Sequence, residues 1–131
     1  ARERDELRII HDQIGSPTYT GDLADAIFHL LALTDHRSPI TDHRPYGLYH
    51  FSNDGQCSWY EFAKEIVRFA SDAGIEMKFK NIVPIKTEAY PLPATRPAYS
   101  VFDKKRYKNA TGCNIPQWQE SLRRYILSRD E

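Results

Sequence analysis

Asp12-Gln-Ile-Gly-Ser-Pro-Thr18, followed by Asp22-Leu-Ala-Asp25, is the stretch whose reading decides the fold. A Gly and a Pro two residues apart set a fixed turn, and Gln13, Ser16 and Thr18 place hydrogen-bonding groups on it. Upstream, Arg8 to His11 reads as a short strand, entered from the charged end of a helix over the first residues. Downstream, Leu23, Ile27, Leu30 and Leu31 recur at helical spacing and mark residues 22–34 as an amphipathic helix. Thr20 or Asp22 is its expected cap. On physics alone, a strand, a turn and a capped helix account for the whole stretch.

The same alternation continues outward. Residues 35–46 carry two prolines and many polar side chains and read as a loop, and Leu48 to Phe51 suits a strand. Ser58-Trp-Tyr-Glu61 is a capping box, in which a hydroxyl and a carboxylate each satisfy an orphan N–H at a helix start. Phe62, Ile66, Phe69, Ala70 and Ala73 then share one face, and Gly74 stops the helix. Lys78 to Ile85 reads as another strand, and the three prolines of Tyr90-Pro-Leu-Pro-Ala-Thr-Arg-Pro97 forbid regular structure. Asp103 is the expected cap of a short helix ended by Gly112. Pro116 suits a first helical position, and Trp118, Leu122, Tyr125 and Ile126 stripe a last helix. The expected fold is mixed α/β, with few short strands, about four helices and no complete Rossmann domain.

Eighteen basic residues balance eighteen acidic ones along the 131 residues. That leaves no field for steering onto nucleic acid or an anionic membrane, while a local pocket for a small anion stays open. No stretch reaches the roughly 20 apolar residues that span a bilayer. The first residues lack an apolar signal region, and Cys57 and Cys113 are few and far apart. Free thiols in a cytoplasmic protein are the expectation, and the sequon Asn109-Ala-Thr111 is a chance match.

The opening stretch resembles the D-Q-x-G-x-P-T signature of the dTDP-4-dehydrorhamnose reductases, the RmlD-like branch of the extended short-chain dehydrogenase/reductases. The resemblance continues in order through Gly47-Leu-Tyr-His-Phe-Ser52, Cys57-Ser-Trp-Tyr-Glu-Phe-Ala63, Tyr90-Pro-Leu-Pro-Ala-Thr-Arg-Pro97 to Ser100, and Trp118 with Leu122. It spans nearly the whole chain. It implies a C-terminal substrate-binding portion of an enzyme that reduces dTDP-4-dehydro-L-rhamnose to dTDP-L-rhamnose with NADPH or NADH, with Mg2+ as a further option.

The glycines, at 15, 21, 47, 55, 74 and 112, nowhere form the G-x-G-x-x-G loop that brings backbone N–H groups onto a dinucleotide pyrophosphate. The expectation is therefore a single substrate-binding domain over residues 1–131, a fragment or split product lacking the nucleotide-cofactor domain, and inactive alone. Tyr60-Glu-Phe-Ala-Lys64 matches the Tyr-x-x-x-Lys pattern of short-chain reductases, but the resemblance places that family's catalytic pair upstream of the opening signature. Tyr60 and Lys64 read as a helix start.

Arg96, between Pro93 and Pro97, is the first candidate for ligand contact, because its planar fork of donors matches a diphosphate. A salt bridge to Asp103 or Glu88 is the competing reading. Related sugar-nucleotide enzymes use an Arg-Pro there for the diphosphate, which favours the ligand. Gln13, Thr18, Tyr99 and Ser100 complete the expected substrate site, although Tyr99 and Ser100 equally suit packing and capping. Tyr90, Tyr99 and Trp59 are candidate surfaces for the thymine ring. His29, His36, His43 and His50 recur every seven residues, but Pro39 and Pro45 interrupt any helix that would align them, and no metal site is expected. A regulatory module of the same family, such as the regulatory subunit of methionine adenosyltransferase, and a related sugar-nucleotide epimerase are the alternatives. A chain without its cofactor lobe is expected to self-associate through His11 and helix 22–34.

Overall fold

A computed structural model describes residues 6–33, 46–90 and 93–128. In chain order the elements are β1 (Glu6–Ile10), β2 (Ile14–Gly15), α1 (Thr20–Ala32), β3 (Cys57–Ser58), α2 (Trp59–Asp72), β4 (Asn81–Ile85), a 3-10 turn at Thr87–Ala89, α3 (Lys105–Thr111) and α4 (Trp118–Leu127). Four α-helices with short strands give the mixed α/β class expected from the sequence.

β1 and β4 pair in parallel, from Glu6 opposite Asn81 to Ile10 opposite Ile85. Parallel strands need a long crossover, and here it contains α2, which packs on both. Pro84 is tolerated in β4 because the sheet has two strands and leaves an edge that needs no donor. β2 pairs antiparallel with β3. Its Ile14 also receives Ser100 N–H (2.9 Å) and donates to the Ala98 carbonyl (2.8 Å). A two-residue strand thus joins three segments distant in sequence.

The α2 start forms as its sequence dictates. Glu61 N–H donates to Ser58 Oγ (3.1 Å), and Ser58 N–H donates to Glu61 Oε2 (2.7 Å). Gly74, at φ +74°, follows the last turn. The apolar faces of α2 and α4 meet as Phe62, Ile66 and Phe69 against Trp118, Leu122 and Ile126, with the Phe62 and Trp118 rings edge to face at 5.8 Å. A second cluster joins α1 to α3 through Ala26, Tyr107 and Ile115.

Between these clusters lies a buried polar hub. Asn53 is fully buried and sits on the turn Asn53-Asp-Gly55. Its amide donates to Asp22 Oδ2 (2.6 Å) and Ser121 Oγ (2.8 Å), and its Oδ1 accepts from Tyr19 N–H (2.8 Å). Ser121 Oγ and Arg124 Nη2 also donate to the Asp22 carboxylate, each at 2.5 Å. Burial alone would push the Asp22 carboxyl up, but the donors Ser121, Asn53 and Arg124 outweigh it and hold it below the ordinary value. Next to it, Asp54 pairs with Lys108 (2.6 Å) and Lys104 (3.2 Å), which bring in α3. Gly55 adopts φ +86°, and a Cβ there would lie 2.9 Å from Cδ1 of the buried Trp118 ring, so glycine is favoured on two counts.

Several expectations need correction. Leu48 to Phe51 is irregular, since Tyr49 and Phe51 are drawn individually into the α1–α3 cluster and no strand lies alongside among the described residues. Glu6 and Leu7 belong to β1, not to a preceding helix. The helix read at 22–34 spans Thr20–Ala32, with Tyr19 at its cap position and no side-chain cap. Asp22 is taken by the hub instead. Its buried stripe is Asp22, Ala26 and the half-buried Leu30, while Leu23, Ile27 and Leu31 are exposed. The strand read from Lys78 begins at Asn81. Pro116 precedes the α4 cap Gln117, because its carbonyl is used by Asp54 N–H (2.9 Å). The first five residues and most of the loop at 35–46 lie outside the described residues.

Two measurements test this packing. Replacing Asp22 by Ala removes a buried carboxylate with three donors and is expected to cost about 2–3 kcal/mol at neutral pH. The folded-state carboxyl lies below the ordinary 3.8. The stabilisation is thus complete above about pH 5 and is lost as pH falls through the lowered value. Urea melts of both proteins should therefore converge in acid; a gap that stays constant from pH 7 to pH 2 would contradict the role given to the charge. Burial, and then the neighbouring Glu61, push the Cys57 thiol up to about 12. A thiol reagent at pH 8 is expected to titrate one cysteine per native chain, Cys113, and both in denaturant.

Candidate functional site

The β2 turn and the start of α2 enclose a chamber of about 370 Å³. Gln13 lines it and is held by a network with Thr87 and Asp12. Thr87 donates its N–H (3.0 and 3.1 Å) and its hydroxyl (2.8 Å) to the Asp12 carboxylate, and the Thr87 hydroxyl accepts from Gln13 Nε2 (3.1 Å). Those two Thr87 donors, the hydroxyl first, hold the Asp12 carboxyl below its ordinary range. Gln13 is buried and lines the chamber with one end of its amide engaged.

The walls come from three segments. Ser16 Oγ donates to the Gly55 carbonyl (2.8 Å), which ties the turn to the hub. Ser100 Oγ donates to the Ile14 carbonyl (3.3 Å), and a Cβ on Gly15 would lie 3.2 Å from that oxygen. A larger residue at position 15 would push Ser100 aside. Arg96 and Pro97 form the remaining wall. Among the described residues, no hydrogen bond or ion pair holds the Arg96 guanidinium. Asp103, its proposed partner, instead accepts from Lys105 N–H (2.9 Å).

A second chamber, of about 510 Å³, lies across Pro17, Trp59 and Phe62, which line both spaces. It runs between α2 and α4 and is largely apolar, with the Thr18 and Thr20 side chains among its few polar ones.

The structure brings Arg96, Gln13 and Ser100 together on one chamber and places Thr18 on the other. Tyr99 lines neither; its ring is exposed, and its hydroxyl donates to Gln56 Oε1 (2.9 Å). Tyr90 is also exposed and apart from both, whereas Trp59 stands 55% exposed on the wall between them. Tyr60 and Lys64 line neither chamber, and the Lys64 ammonium sits 5.7 Å from the Tyr60 ring centre. His29 Nδ1 lies 3.0 Å from the Tyr107 hydroxyl and His50 stacks on Phe102. His36 and His43 lie outside the described residues. Among those described, no three His, Cys, Asp or Glu side chains converge to hold a metal, and no helix is long and apolar enough to cross a membrane.

Sequence reasoning missed Asn53, Thr87 and Phe62 as determinants of the site. For Asn53 a signal was present, since Asn-Asp-Gly is a turn triplet. For Thr87 there was none, because its partner Asp12 is 75 residues away.

The chain is similar to known proteins over nearly its whole length. The spore coat polysaccharide biosynthesis protein SpsK of Bacillus subtilis is 41% identical over 129 residues, 98% of this chain and 39% of the relative. A dTDP-4-dehydrorhamnose reductase of Burkholderia thailandensis is 40% identical over 93% of this chain and 41% of its own length. Among solved structures, dTDP-4-dehydrorhamnose reductase of Clostridium acetobutylicum superposes with a TM-score of 0.78 at 38% identity, covering 98% of this chain and 40% of that one. The Bacillus anthracis enzyme, solved in complex with NADP, gives 0.77 at 38% identity, over 97% of this chain and 39% of that one. The chain thus spans about two-fifths of the length of these relatives. Residues 1–130 match the family model described as the RmlD substrate binding domain, and the chain belongs to that family.

Proposed function

We propose that this chain grips the nucleotide diphosphate of a dTDP-sugar for a dTDP-4-dehydrorhamnose reductase, which reduces the C4 ketone of dTDP-4-dehydro-L-rhamnose to give dTDP-L-rhamnose. The observation that carries this reading is the Arg96 guanidinium, which has no ion pair among the described residues and lines a chamber that no other described Lys or Arg lines, whereas cations at the hub are paired. Lys104 and Lys108 are held by Asp54, and Arg124 by Asp22. A rigid fork of donors between two prolines can engage phosphate oxygens in pairs without first breaking an internal ion pair. Gln13 and Ser100 then face the remainder of the ligand from the β2 turn, where Thr87 and Ile14 fix their positions.

The chain's own residues do not fit a nicotinamide dinucleotide, since none of its glycines forms a phosphate-cradling loop. In this reading, NADPH or NADH and the catalytic tyrosine, lysine and hydroxyl belong to residues outside 1–131, in a Rossmann lobe. The exposed Leu23, Ile27, Phe28 and Leu31 of α1 give such a lobe, or a second copy, an apolar face to cover.

Three outcomes follow. In calorimetric titrations with dTDP and dTDP-rhamnose, Arg96→Ala should weaken binding by about 1.5–3 kcal/mol, the worth of a charge-assisted hydrogen bond. Equal affinity in the two proteins removes Arg96 from the site. The purified chain, given NADPH and dTDP-4-dehydrorhamnose, should show no turnover, and measurable product would refute the division of labour. Sedimentation should show concentration-dependent association, reduced by Ile27→Glu; a compact monomer at high concentration would contradict it.

A further inference from the structure

The β1–β4 sheet has two outer edges, and they differ. His11 N–H donates to the Ile85 carbonyl (3.0 Å), and Ile10 stands opposite Ile85 in register. That bond fixes the phase of the parallel ladder, in which alternate residues turn both peptide groups toward the partner strand. Leu7 and Ile9 therefore direct their N–H and C=O at β4, and Asn81, Val83 and Ile85 direct theirs at β1. Glu6, Arg8 and Ile10 turn theirs to the outer edge of β1, and Ile82 and Pro84 turn theirs to the outer edge of β4. A proline at that phase closes the β4 edge, since it presents no donor to an incoming strand. The β1 edge carries no proline. Among the described residues no further strand and no other backbone hydrogen bond meets it. An open row of donors and acceptors is a template for another strand.

We infer that the β1 edge pairs antiparallel with the β1 edge of a second copy, about a twofold axis through Leu7, to make a continuous four-stranded sheet. Phase and charge select this occupant and its register. Glu6 and Arg8 lie two residues apart on one face of β1, and both are exposed. Neither has an ion pair among the described residues. Two such edges bond only where outward-turned residues lie opposite each other, so the axis passes through a residue and not between two. With Arg8 on the axis, two like charges would meet directly across the strands, which is unfavourable. With Ile9 on the axis, Arg8 faces Ile10 and no ion pair forms. With Leu7 on the axis, Glu6 faces Arg8 of the second copy on both sides, and the two leucines meet between them. The strand is thus complementary to itself in charge and in backbone phase. A twofold pair uses the same edge on both copies, and Pro84 closes the edge that remains, so the association stops at two.

The test uses the full 131-residue chain carrying Ile27→Glu, which suppresses association through α1. Sedimentation is expected to show a monomer–dimer equilibrium that weakens as salt is raised. Glu6→Arg alone and Arg8→Glu alone each turn two attractive pairs into two repulsive ones, and each should weaken the dimer by about tenfold or more. The double exchange, Glu6→Arg with Arg8→Glu, should restore it, which damage to the fold would not do. In a Cys113→Ser background, Leu7→Cys should give a disulfide-linked dimer on mild oxidation. A facing pair that is not hydrogen-bonded brings its Cα atoms to about 4.5 Å, within reach of a disulfide. Ile9→Cys should remain monomeric under the same oxidation. A monomer at every concentration, single variants that dimerise like their parent, or cross-linking through Ile9→Cys in place of Leu7→Cys overturns the inference. None of these results bears on the dTDP-sugar reading, because β1 lines neither chamber and the Arg96→Ala titration decides that reading separately.

Discussion

The fold depends on one buried carboxylate and the amide that meets it. Asp22 sits at the start of α1, and Asn53 on a turn 31 residues later; Ser121 and Arg124 come from α4. A buried charge is tolerated only when its lone pairs are met, and here three side chains meet them. Asn53 also accepts Tyr19 N–H, so the segment leaving β2 is held in place through the same side chain. Among the described residues no buried side-chain nitrogen or oxygen lacks a partner. Such a network has few alternative arrangements, which suits a domain whose strands are too short to fix its architecture by backbone pairing.

The site inherits its geometry from that hub. Pro17 and Thr18 lie between Ser16, tied to the Gly55 carbonyl, and Tyr19, tied to Asn53. The dividing wall between the two chambers is therefore anchored at both ends to the turn at Asn53–Gly55. Trp59, the other half of that wall, follows β3, which pairs with β2 and leads straight into the capping box. The wall is rigid because two short strands, one cap and one amide all converge on it.

Local chemistry was legible in the sequence wherever the partners lie within a few residues. The capping box at Ser58 and Glu61, the glycine stops at 74 and 112, and the α4 positions Trp118, Leu122 and Ile126 needed only neighbours three to four residues away. Arg96, Gln13 and Ser100 were found as candidates through family likeness, and the fold gathers them on one chamber. What escaped was non-local. Asp22 looks like a helix cap until Asn53 and Ser121 are known to face it, and Leu48 to Phe51 looks like a strand although none of the described strands pairs with it. Periodicity gave the α1 helix and its apolar stripe, and the buried positions Asp22 and Ala26 lie about one residue from that stripe, roughly 100° of rotation. Leucines mark an apolar stripe; they do not say whether this domain's own core covers it.

That rotation bears on how the chain is used. A helix normally turns its leucines inward and its acid outward, because apolar burial is favourable and carboxylate burial is costly. α1 does the reverse at Asp22 and Leu23, and again at Ala26 and Ile27. The hub compensates the inward carboxylate within the chain, with named donors at hydrogen-bonding distance. The outward Leu23, Ile27 and Phe28 are exposed among the described residues, an unreturned cost for these side chains. The charges follow the opposite rule: the cations near the hub are spent on internal carboxylates, and Arg96 is left for something else. An exposed apolar face and a guanidinium without an ion pair among the described residues thus lie on different segments; in the proposed reading one surface meets protein and the other an anion.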